Sequence, residues 1–239
     1  MDVIRDTWTQ DDYSMFLKYL YSLSDEKYRK FNSSLIPGCA DMIIGVRIPE
    51  LRRIAKDIAK GNGQSFIECE KGITNEEIII DGLVRAEYSK TYEEISKNIS
   101  YFVKRINNWA VNDIVKFNNI KKYREEFRSD ISVLLNSGRE WETRYGIKML
   151  MDFYLDDTYI DYALSQTSAI RSDAYYVCAM QGWLIATAAV KYGSQVENLL
   201  RSGKLERKAA VMAADKIRDS RRINDDYKKM IRQIVKTGK

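Results

Sequence analysis

After Pro49 the chain runs to Lys239 without a proline, and Pro37 is the only other one. Proline breaks helices because it has no amide N–H and its ring collides with the preceding turn. A long stretch without it, rich in Ala, Leu, Ile, Lys, Arg and Glu, can be helical almost throughout. The apolar spacing agrees. Leu51, Ile54, Ala55 and Ile58 fall at i, i+3, i+4 and i+7, and so do Ile147, Leu150, Met151 and Tyr154. Ile78, Ile79 and Ile80 are β-branched, yet they follow a capping box, Thr74-x-x-Glu77, inside a helical pattern. No convincing alternation of period two appears.

Start and stop signals predict the elements. Asp11 and Asp12 can cap a helix to about Leu23, and Ser24 can cap the next. Pro49 suits the first position of a third. Another helix begins near Tyr92 and runs to about Ile106, where Asn107 and Asn108 break it and can cap the segment carrying Trp109. Further helices are predicted at about Lys121–Leu135, Arg139–Leu155, Asp173–Tyr192, Lys204–Arg218 and Arg222–Lys236. Gly138, Gly193 and Gly203 stand in the gaps as terminators, and Gly61-Asn62-Gly63 reads as a loop. The helices form pairs that repeat at roughly 35–45 residues, the range of HEAT and armadillo units. The expected fold is all-α: a superhelical solenoid of paired antiparallel HEAT-like helical repeats with a concave face, in one domain spanning 1–239. A plain helical bundle is the alternative.

Composition narrows the chemistry. The chain has no histidine. That removes His-based triads, His–metal sites and an imidazole base, and leaves acid–base work to carboxylates, Lys, Tyr or water. Cys39, Cys69 and Cys178 are scattered and lack metal-ligand spacing, and no Walker-type glycine loop is present. No metal and no organic cofactor are expected. The start lacks a signal-peptide pattern, and the apolar run 177–190 is too short to cross a bilayer. A cytoplasmic monomer without membrane contact is the expectation.

Charge is unevenly spread. From Arg201 to Lys239 there are 13 Lys and Arg against 5 Asp and Glu, a local +8 within a total of +5. Such asymmetry points to a polyanionic partner, or more blandly to a solvated basic helix pair. Trp109 and Asp113 lie one helical turn apart, which puts a π face and a carboxylate on one side of a helix. Both attract cations. A tryptophan at helical spacing is otherwise more often core, and a lone aspartate more often serves a nearby backbone group.

Five blocks in order carry a resemblance. They are Ile44-Gly45-Val46-Arg47-Ile48-Pro49-Glu50-Leu51-Arg52 on through Ile58, Trp109-Ala110-Val111-Asn112-Asp113, Trp141-Glu142-Thr143-Arg144-Tyr145-Gly146, Tyr176-Val177-Cys178-Ala179-Met180-Gln181-Gly182-Trp183, and Lys208-Ala209-Ala210 through Lys216-Ile217-Arg218. Together they resemble the HEAT-like DNA alkylation repair proteins, alkylpurine DNA glycosylases of AlkD type. The resemblance implies a duplex DNA partner with alkylated bases and hydrolysis of the N-glycosidic bond of cationic N3- or N7-alkylpurines. It implies catalytic roles for Asp113, Trp109 and Trp183. Arg144 would hold a phosphate, and Lys148, Arg47, Arg52, Lys208, Lys216, Arg218, Arg221 and Arg222 would complete the DNA-binding set. Arg144 and Lys148, one turn apart, could instead form a solvated basic face.

The sequence departs from the family pattern at Ala110 and Ala186, and the stretch Asp41-Met42-Ile43-Ile44 lacks the aromatic residue active members often present. A non-catalytic DNA-binding module and a protein-binding helical scaffold are the rival readings.

Overall fold

Short polar side chains set the helix starts. Thr9, Thr74 and Thr91 each form a capping box, with Asp12, Glu77 and Glu94 reaching back to the cap, while Asp25, Asn62 and Asn108 cap singly. Thr9 and Asp25 take the roles that Asp11 or Asp12 and Ser24 were expected to fill. The computed structural model of the chain describes residues 1–237, which form fourteen α-helices and no strand. Helix makes up 70% of it. No helix among the described residues is long and apolar enough to cross a membrane.

The chain divides into two compact units, Met1–Tyr123 and Arg124–Lys239. The first holds α1 (Gln10–Ser22), α2 (Glu26–Leu35), α3 (Ile48–Lys60), α4 (Gly63–Glu68), α5 (Asn75–Tyr88), α6 (Tyr92–Phe102) and α7 (Trp109–Ile114). Its centre is α5, buried from Asn75 to Ala86 and packed on α3, α4, α6 and α7. A helix buried on all sides must satisfy its own polar groups. Arg85 does so for Asp81: its Nε lies 3.1 Å from both carboxylate oxygens, while Nη1 reaches Asn98 at 2.8 Å and Nη2 the Ile67 carbonyl at 3.0 Å.

The second unit holds α8 (Phe127–Leu135), α9 (Glu140–Phe153), α10 (Ile160–Ala169), α11 (Tyr175–Ala189), α12 (Gly193–Arg201), α13 (Arg207–Asp219) and α14 (Asp225–Thr237). Here α9, α11 and α13 pack side by side in one row, and α10, α12 and α14 in another. Packing of each helix on the next but one is what a helical repeat requires. Gly182 permits the closest of these approaches: a Cβ there would lie 2.9 Å from the backbone of Met212 and Ala213 on α13.

Three helices escape the sequence reading. Both α4 and α12 begin at glycines expected in loops or gaps, Gly63 and Gly193. Asn62, between Gly61 and Gly63, caps α4, and tertiary contacts meet Gly63 and Gly193. Gly63 sits against the Tyr88 ring, and the Tyr227 hydroxyl donates to the Gly193 carbonyl at 2.7 Å. The third, α10, carries Ser, Gln and Thr between its apolar residues, which blurs its period. Gly138 and Gly203 do follow helices in the left-handed region, with φ of 70° and 65°.

Candidate active site

α7 is only 6 residues long. Helices this short do not persist alone, so its place depends on what holds it. Asn108 caps it, accepting from the amides of Ala110 and Val111 at 3.0 Å each. The Trp109 indole Nε1 donates to the Leu35 carbonyl at the end of α2, at 3.1 Å. Arg52, on α3, donates through Nη2 to the carbonyl of Ile114, the last residue of α7, at 3.0 Å. Ala110 faces a small core of Ile36, Cys39 and Ile43, against which Met42, Trp109 and Ile114 pack. That burial explains why an apolar residue stands at 110.

The half-buried Asp113 and Trp109 open onto a cleft of about 360 Å³. Its other walls include Tyr28, Phe31 and Leu35 from α2, Leu51 and Arg52 from α3, and Asn75, Glu76 and Ile79 from α5. Tyr28, Phe31 and Leu35 escaped the sequence reading. They lie at i, i+3 and i+7 on a helix that buries none of its residues, and Phe31 is 61% exposed. That spacing was the available signal. Tyr28 and Phe31 give this wall of the cleft its aromatic side chains. Burial, with the Glu76 carboxylate nearby, holds the Tyr28 hydroxyl above its ordinary range, so it stays a neutral donor.

The loop 43–47 is anchored from below. Glu76, 2% exposed, accepts from the amides of Ile44 at 2.9 Å, Gly45 at 2.7 Å and Val46 at 3.2 Å. Gly45 has φ of 101°, and a Cβ there would lie 2.7 Å from the Arg29 Cβ. The loop thereby presents Arg47, whose guanidinium lies 5.1 Å from the Tyr28 ring centre and 2.7 Å from Asp25. The amide of Tyr28 and the Arg47 guanidinium hold the Asp25 carboxyl below its usual range.

In the second unit the expected residues separate into two groups. Trp183 is 41% exposed and lines a recess of about 300 Å³ with Ala186, Thr187, Lys216, Asp219, Ser220 and Arg222. Lys216 Nζ lies 5.8 Å from its ring centre. Arg221 is exposed; Arg218 pairs with Asp215 at 2.7 Å and Asp219 at 2.9 Å; Lys208 donates to the Asp173 carbonyl. Arg144 and Lys148 do not form a solvated face. They are 5% and 4% exposed, with Arg144 donating to the Tyr176 carbonyl at 2.7 Å and Lys148 bridging to Asp152 at 2.7 Å.

Residues 17–177 match the family model described as DNA alkylation repair enzyme. No curated protein and no solved structure matches the chain. The matched span contains Tyr28, Arg47, Arg52, Trp109, Asp113, Arg144 and Lys148; Trp183 and the basic C-terminal helices lie beyond it. The match covers more than half of the chain and includes the whole of the α7 cleft: the protein belongs to the DNA alkylation repair enzyme family, with a role in DNA repair and DNA as its partner.

Proposed function

We propose that the protein is a DNA glycosylase that hydrolyses the N-glycosidic bond of cationic N3- and N7-alkylpurines in duplex DNA. The supporting observation is the cleft that Asp113 and Trp109 share with Tyr28 and Phe31. An alkylated purinium is already activated as a leaving group. When the C1′–N bond breaks, its electron pair neutralises the base, which leaves without being protonated. Positive charge moves to the deoxyribose. Asp113 stabilises that oxocarbenium and orients the water that adds to C1′, whose proton passes to solvent. No histidine is needed.

Aromatic faces add about 0.5–2 kcal/mol each toward a cation. Trp109 and Tyr28 supply them in the cleft, and Trp183 keeps the nucleotide-contacting role that the resemblance gives it. Phosphate contact falls to the exposed Arg47, Arg52, Lys208, Lys216, Arg218, Arg221 and Arg222. Arg144 and Lys148 act by holding Tyr176 and Asp152. The test is incubation with duplex carrying 7-methylguanine and measurement of free base above spontaneous loss. Tight duplex binding without base release would favour the non-catalytic module.

A further inference from the structure

Three consecutive residues at the start of α5 send buried polar side chains to three different elements. Glu77 accepts from the Tyr13 hydroxyl of α1 at 2.8 Å, and Glu76 holds the loop 44–46. Asn75 reaches α7 through its cap: Asn108 Nδ2 donates to Asn75 Oδ1 at 3.0 Å. Asn75 is 1% exposed and Asn108 is 3% exposed. The Asn75 amide nitrogen has no hydrogen-bond partner among the described residues. In its contact with α7, Asn75 acts through its oxygen. That oxygen and Asn107 Oδ1, 2.7 Å from the same amide nitrogen, orient Asn108, whose own oxygen fixes both amides at the start of α7.

We infer that Asn75 is a positioning residue for Asp113 and Trp109, acting through Asn108. The role in turnover rests on the proposed glycosylase reading; the mechanical role does not. Without the Asn75 oxygen, the Asn108 amide keeps only its contact to the adjacent Asn107, and its side chain can turn and release the α7 amides. The helix then shifts against the cleft wall that Asn75 itself lines. Small misplacements of a reacting group cost rate far more than binding.

The test uses the full chain with ¹⁵N-labelled tryptophan indoles, the Trp109 resonance being assigned with Trp109→Phe. Asn75→Ala removes the acceptor. Asn108→Ser removes the side-chain amide that reaches Asn75 and leaves a capping oxygen with nothing to orient it. Each should speed hydrogen exchange at the Trp109 indole by about tenfold, the loss of one buried hydrogen bond. Trp8, Trp141 and Trp183 should stay unchanged, and the double variant should be no worse than either single. Base release should fall on the order of tenfold or more with duplex affinity unchanged. An unchanged Trp109 indole in Asn75→Ala overturns the inference, and so does equal loosening of all four indoles in both variants. Absence of base release by the unaltered protein would sink the glycosylase reading alone, because the indole result still decides the positioning role.

Discussion

Removing the Glu76 side chain should unseat the loop that forms one wall of the cleft. The carboxylate is 2% exposed and takes three amides, at 2.9, 2.7 and 3.2 Å. Glu76→Ala leaves those three donors without a partner beneath a packed loop. Each buried unpaired donor costs about 1–3 kcal/mol, and part is recovered as the loop moves toward water. The expected loss is about 3–5 kcal/mol, a large share of the roughly 5–15 kcal/mol that a domain has. Glu76→Gln is gentler. Its oxygen can still serve Gly45 and Val46, while its amide faces the Ile44 N–H, for a cost of about 1–2 kcal/mol. Urea unfolding followed by circular dichroism gives both values from midpoint and slope. A cost below about 1 kcal/mol for Glu76→Ala, or equal costs for the two variants, would refute the anchoring role.

Other consequences follow from single positions. Gly45→Ala should cost about 2 kcal/mol or more, since both its positive φ and the 2.7 Å approach to Arg29 exclude a side chain; an unshifted midpoint contradicts this. Burial pushes Lys71 from the ordinary 10.5 down to about 8, so between these values the unfolded chain binds more protons and stability rises with pH. Relative to Lys71→Met, the wild type should gain roughly 1–3 kcal/mol from pH 8 to 10, and a flat difference in urea unfolding would exclude this. Replacing Lys216 and Arg222 by Gln should reduce the log–log salt slope of duplex affinity by about two units. An unchanged slope would remove the Trp183 recess from the phosphate contacts.

Much of the helical layout was legible because its causes are local. The Thr74–Glu77 box, the Asn108 cap and the stripe at Leu51, Ile54, Ala55 and Ile58 all act within two turns. Gly63 and Gly193 misled because glycine reads locally as a break, whereas Asn62 caps α4 beside Gly63 and each glycine lies against a distant ring, Tyr88 or Tyr227. Trp109 and Asp113 could be placed on one face from spacing alone. Glu76 could not, since its partners lie about thirty residues earlier and are backbone amides that carry no sequence signal. The burial of Arg144 and Lys148 was equally hidden, because a cation paired inside a fold reads in sequence like a cation in water.

The proposed chemistry depends on the carboxylate of Asp113, which a single isosteric substitution removes. Wild type and Asp113→Asn are incubated with duplex containing 7-methylguanine, and free base and duplex affinity are both measured. With Asp113 in its proposed role, acting on charge that develops only in the transition state, base release falls by about 10²-fold or more with affinity nearly intact. An active wild type with an equally active Asp113→Asn would contradict it.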